Sequence, residues 1–143
     1  MSKNSIEIDG LKIISNKIIP FGKYVAITFF GRVYTKKSKD NLKTYLNSIA
    51  GIRMIKHESI HLMQAKQCKT WLWFYILYLW YFIKLYFCTL KWNVSYRTIP
   101  FEIEAYRFQD KPDYNETNWK KYIMTNKERK QYFIDKYIKH ITI

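Results

Sequence analysis

The segment WLWFYILYLWYFIKLYFCTLKW, residues 71–92, constrains the fold of this chain more than any other stretch. Its first thirteen residues are all apolar or aromatic, and Lys84 is its first charge. Such a run predicts a helix without a polar face, which has to be covered by protein or by lipid. Thirteen uninterrupted residues suit a core or interfacial helix, because a bilayer span takes about 20. Counting through Lys84 to Leu90 reaches that length, provided the lysine is paired or reaches the headgroups. Enclosing such a helix on every side is difficult in a chain of 143 residues. A buried core helix and a helix in contact with a membrane surface therefore both stand as expectations.

The length predicts one domain, residues 1–143. A 48% hydrophobic content supplies a core, and 19% aromatic residues exclude a disordered chain. Cys68 and Cys88 form no close pair, which argues against a disulfide scaffold. The polar N-terminus MSKNSIEIDG carries no secretory signal, so the expected location is cytoplasmic or membrane-associated. The net charge is +14, from 25 basic and 11 acidic residues. Lysine supplies most of it; arginine, the better reader of phosphates and bases, occurs at Arg32, Arg53, Arg97, Arg107 and Arg129. With no nucleic-acid motif beside the charge, a nucleic-acid partner is disfavoured. The basic balance reads first as solvated surface, and it also suits an anionic membrane.

The N-terminal third reads as strand. SIEIDGLKII alternates around Asp9-Gly10, a pair suited to a tight hairpin. KYVAITFFGRVYTKK is rich in β-branched and aromatic residues and predicts one longer strand, with Gly31 marking a bulge or a close approach. LKTYLNSIAG predicts a short helix ending near Gly51, and Ile52 to about Lys69 predicts a second helix. Residues 93–98 read as a connector, FEIEAYRFQ as a short helix opened by Pro100, and residues 110–118 as a loop. Residues 118–143 read as a basic helical tail whose Tyr132, Phe133, Tyr137 and Ile138 form an apolar stripe. The expected class is α+β, with a small N-terminal antiparallel sheet, a helical core and the long aromatic helix.

The candidate chemistry lies in HESIHLMQ, residues 57–64. On a helix, residues four apart project the same way, about 6 Å from one another. His57 and His61 can thus each offer a ring nitrogen to one zinc ion at about 2.0–2.1 Å. Glu58 is turned about 100° from His57, beside the open position, where a carboxylate can act as general base toward a metal-activated water. With three histidines and six glutamates, chance yields this pattern roughly three times in a thousand such chains. Gln64 and Cys68 continue the same stripe, but Cys68 lies about 10 Å along the axis from His61, too far to share the metal.

A catalytic zinc takes three protein ligands and keeps one position for water. His140, in the basic tail, reads better as a surface histidine than as the third ligand. PFEIEAY offers Glu102 and Glu104, which point to nearly opposite sides of a helix, so one of the two can face the metal. The other is a solvated charge or a contact behind the ligands.

HExxH followed by a glutamate on a second helix resembles the gluzincin group of zinc metallopeptidases. Several of those families place the ligand in E-x-x-A-D or E-x-x-S-D, and PFEIEAY is similar, with Ala105 as the small residue that lets two helices approach. The order of strand, HESIHLMQ, aromatic segment and IPFEIEAY also resembles small uncharacterised metallopeptidases carrying HExxHxxQ and FExEAY. The resemblance spans roughly residues 20–125 and implies a zincin-like core, zinc as cofactor and a peptide or protein substrate. It implies His57, His61 and Glu102 as ligands and Glu58 as base. Tyr106 stands where gluzincins have an aspartate that orients a ligand histidine, which leaves Glu104 or a backbone carbonyl for that task. Gln64, Glu104, Tyr106 and Arg107, together with Tyr96 and Arg97, are candidates for orienting ligands or steadying an oxyanion. The competing expectations are a non-catalytic, zinc-stabilised interaction protein and a basic protein that binds membrane or nucleic acid.

Overall fold

The computed structural model describes residues 5–8, 11–16, 26–36 and 39–138. The class is α+β: a small four-stranded sheet followed by mostly helical chain. The strands are β1 (Ser5–Ile8), β2 (Leu11–Ser15), β3 (Ala26–Phe29) and β4 (Arg32–Thr35), ordered β1-β2-β4-β3. β1 and β2 pair antiparallel, as the hairpin pattern predicts, while Asp9-Gly10 itself lies outside the described residues. The sheet is mixed rather than antiparallel, because β2 pairs β4 in parallel, Ile13 opposite Val33.

The expected single strand over KYVAITFFGRVYTKK is instead a hairpin. Phe30 and Gly31 sit between β3 and β4 with φ of +48° and +74°. Two successive left-handed residues match the twist of a tight hairpin, so the chain folds back there and does not bulge. This makes β3 an edge strand, with Thr28 opposite Val33 of β4.

Helices α1 (Lys39–Leu46) and α2 (Ile49–Gln67) meet at a sharp corner. Ser48 caps α2, its hydroxyl accepting from Gly51 N–H at 3.2 Å. Gly51, expected to end a helix, lies in the first turn of α2. A Cβ there would fall 1.9 Å from the Tyr45 carbonyl oxygen, so the corner closes only around glycine. α2 packs against α1, β3, α3 and α5. It separates two apolar clusters. Leu11, Ile13, Val33, Leu42 and Leu46 form one between sheet and helices. The second is built from Ala65, Phe74, Leu85, Ile99, Phe101 and Trp119.

The aromatic segment forms α3 (Trp71–Thr89), capped by Thr70 and ended by Leu90 in the left-handed region. At 19 residues it is about 28 Å long. Phe74 and Leu85 are buried, but most of the helix is not, so the described residues do not enclose it as a core helix. Residues 93–98, expected as a connector, fall mostly within the short α4 (Trp92–Arg97). α5 (Pro100–Phe108) starts with proline at its first turn, as read from sequence. In the basic tail, a 3-10 turn spans Trp119–Tyr122 and α6 spans Asn126–Phe133. Thr125 and Glu128 form a capping box on α6. The chain then loosens into a π turn at Ile134–Ile138, and His140 lies outside the described residues.

Candidate metal centre

His57 and His61 project from one face of α2, and Glu102 meets them from the first turn of α5. All three are more than nine-tenths buried. The two Nε2 atoms are 3.1 Å apart. The Glu102 oxygens lie 3.3 Å from His57 Nε2 and 3.4 Å from His61 Nε2. A tetrahedral zinc with bonds of about 2.0–2.1 Å sets its ligand atoms about 3.3 Å from one another. The three separations are of that size, the two to Glu102 being made by different carboxylate oxygens. The donor set is also chemically right: two imidazoles and one carboxylate, with Glu102 Oε2 buried and lacking a hydrogen bond.

The network behind His61 fixes its tautomer. Gln64 Nε2 donates to the Phe101 carbonyl at 3.0 Å and to Glu104 Oε2 at 2.7 Å. Both partners only accept, so the amide orientation of Gln64 is determined. Its Oε1 therefore faces His61 Nδ1, at 2.7 Å, and accepts a hydrogen bond from it. The His61 tautomer with hydrogen on Nδ1 leaves the Nε2 lone pair aimed at the metal position. Tyr78 donates its hydroxyl to Glu102 Oε1 at 2.7 Å and holds that carboxylate from α3.

Glu104 is fully buried and does not face the metal position. Besides Gln64, its carboxylate accepts from the Tyr114 hydroxyl at 2.7 Å, from Thr117 Oγ1 and from the Asn118 N–H. A buried carboxylate with four donors is well compensated. It ties the loop over residues 110–118 to α2. Lys56 adds to that tie, donating to the Pro112 and Tyr114 carbonyls at 3.0 and 2.7 Å.

Without a metal, burial alone would push the His61 ring down, but the adjacent Glu102 carboxylate outweighs it and holds the ring at about 9. The same contact works in reverse on Glu102: burial would raise it, yet the two histidines hold it well below the usual carboxylate range.

Glu58 is buried beside the triad and accepts a hydrogen bond from the Thr28 hydroxyl of edge strand β3. Two cavities meet at His57, Glu58 and Tyr96. One, about 450 Å³, is mainly apolar and also reaches His61 and Glu102. The other, about 710 Å³, is more polar, with Arg53, Asn93, Arg97, Tyr106 and Gln109 in its wall. Tyr106 packs on His57 with ring centroids 4.6 Å apart, and Arg97 lies over the Tyr106 ring at 5.3 Å. Burial, reinforced by the Glu102 charge, pushes the Tyr96 phenol far up, so it keeps its proton at neutral pH.

The structure thus brings together His57, Glu58, His61 and Glu102, with Gln64, Glu104, Tyr96, Arg97 and Tyr106 around them. It does not bring Arg107, which is exposed and lies over the Tyr122 ring at 5.8 Å. Arg107 is turned about 100° around the helix from Tyr106, the residue that packs on His57. Sequence reading missed Thr28 and Tyr78. Tyr78 sits in an unbroken apolar run where its hydroxyl gives no periodic signal, and Thr28 meets Glu58 across thirty residues of chain. Comparison with protein-family models, curated proteins and solved structures gives no match.

Proposed function

We propose that this chain is a zinc-dependent metallopeptidase of gluzincin-like design. One observation carries the reading: two imidazoles and a carboxylate, all buried, offer ligand atoms within 4.8 Å of one another beside Glu58, at the junction of two cavities. His57, His61 and Glu102 would hold the ion. Bound zinc supplies Lewis acidity, which brings a coordinated water to a pKa of about 7 and polarises a substrate carbonyl.

The chain's own residues do the rest. Glu58, positioned by Thr28, takes the proton of the attacking water and returns it to the leaving amine. Tyr96 lies within both cavities and is protonated, which makes it the candidate donor toward an oxyanion. Gln64 and Tyr78 hold two of the ligands in position. The cavities on either side of His57 and Glu58 favour this reading over a purely structural zinc, whose four positions would be filled by protein.

The test is metal analysis paired with hydrolysis of a mixed peptide library. Wild type should carry about one zinc per chain, matching the three-ligand site. His61→Ala should lose the ion, whereas Glu58→Gln should keep it and lose about 10²–10⁴-fold in rate. Cleavage by Glu58→Gln at the wild-type rate would remove the proposed base.

A further inference from the structure

The outer face of α3 is apolar along its whole length. Leu72, Trp73, Ile76, Leu79, Trp80, Ile83, Phe87 and Leu90 are all exposed, Phe87 at 75% and Leu90 at 73%. At 100° per residue they fall on one stripe, opposite the face that buries Phe74 and Leu85. An exposed apolar patch of this extent marks an interaction surface.

The stripe runs into the mouth of the apolar cavity. Leu79 belongs to both, and the exposed Phe29 and Trp92 line the same mouth. Phe29 and its neighbour Phe30 are held there by Tyr75, whose hydroxyl accepts from the Phe30 N–H at 3.0 Å and donates to the Thr28 carbonyl at 3.1 Å. His57, His61 and Glu102 lie at the inner end of that cavity.

Charge identifies the occupant. Lys69 precedes the helix, Lys84 stands at the edge of the stripe, Lys91 follows it, and Arg32 flanks the Phe30-Gly31 turn; all four are exposed. The chain carries a net +14. Apolar and tryptophan side chains bordered by lysine are what an anionic bilayer interface selects. One face of α3 is packed on protein, burying Phe74 and Leu85, so the helix suits the interface plane and not a span.

We propose that α3 and the Phe29-Phe30 turn dock this protein onto an anionic lipid bilayer, with the apolar cavity opening at the lipid. Docking itself needs no metal. Its consequence for substrate rests on the hydrolase reading: the cavity would receive an apolar segment of a membrane-borne peptide. The surface places the metal centre at the bilayer without inserting it.

The full chain should be synthesised in the presence of vesicles and floated on a density gradient. It should rise with phosphatidylcholine–phosphatidylglycerol vesicles, rise less as salt increases, and be released by alkaline carbonate. Trp80→Ser/Phe87→Ser should weaken partitioning by about a hundredfold. His61→Ala should float as wild type does, so loss of metal and loss of docking are read separately. Several outcomes overturn the proposal: no flotation, equal flotation with phosphatidylcholine alone, or retention in carbonate, which means a span. Wild-type binding by the double variant does so too. A lipid-free dimer that this variant converts to monomer would assign the face to a second copy.

Discussion

Gln64→Met removes the amide that sets the His61 tautomer while keeping side-chain length. Gln64 is fully buried, so water does not replace what is lost. The His61 Nδ1–H is left without its 2.7 Å acceptor, which costs about 1–3 kcal/mol for a buried donor. Glu104 loses one of its four donors, a charged hydrogen bond worth about 1.5–3 kcal/mol. Methionine recovers part of this through apolar contact, leaving an expected loss of about 2–4 kcal/mol. Zinc affinity should fall about 10–100-fold, because the ring is no longer held with its lone pair toward the ion. Urea unfolding of the metal-free protein reads the first quantity, and competition with a chromophoric zinc chelator reads the second. Gln64→Glu separates them: it keeps an acceptor for His61 but sets a second carboxylate against Glu104, so stability should fall further while affinity falls less. Zinc binding by a folded Gln64→Met protein within about twofold of wild type would refute the tautomer reasoning.

Two further outcomes follow from the same geometry. With His61 held near 9 by Glu102, the metal-free ring carries a proton at neutral pH, so zinc binding must expel it. Titration in weakly buffered solution at pH 7 should record at least one proton released per zinc, from His61 and in part from the bound water, and the His61→Ala protein should release none. Gly51→Ala should destabilise the fold by about 2 kcal/mol or more, since its Cβ would meet the Tyr45 carbonyl at 1.9 Å. A thermal melt unchanged from wild type would contradict the close corner between α1 and α2.

The helix that carries the histidine pair was legible because its signal is local. Spacing of four on a 3.6-residue period places His57 and His61 together whatever the rest of the chain does. Helix geometry also showed that only one of Glu102 and Glu104 could face them, but resemblance alone picked Glu102. That Glu104 binds Gln64 depends on a contact forty residues apart, which no local pattern carries. The β3–β4 hairpin was misread for a physical reason. Its turn is Phe30-Gly31, and phenylalanine at positive φ is an uncommon choice that tertiary contacts with Tyr75 support. The parallel pairing of β2 with β4 is non-local in the same way. In α3 the sequence left two expectations open, and the limited burial of the helix bears on them through three-dimensional packing that composition does not specify.

X-ray absorption spectroscopy of the zinc-loaded protein tests the central claim most directly. Two imidazoles and light oxygen ligands at about 2.0–2.1 Å are predicted, and His61→Ala should retain no zinc to give such a spectrum. A sulfur ligand at about 2.3 Å, or a spectrum without imidazole, would contradict the assignment of His57, His61 and Glu102.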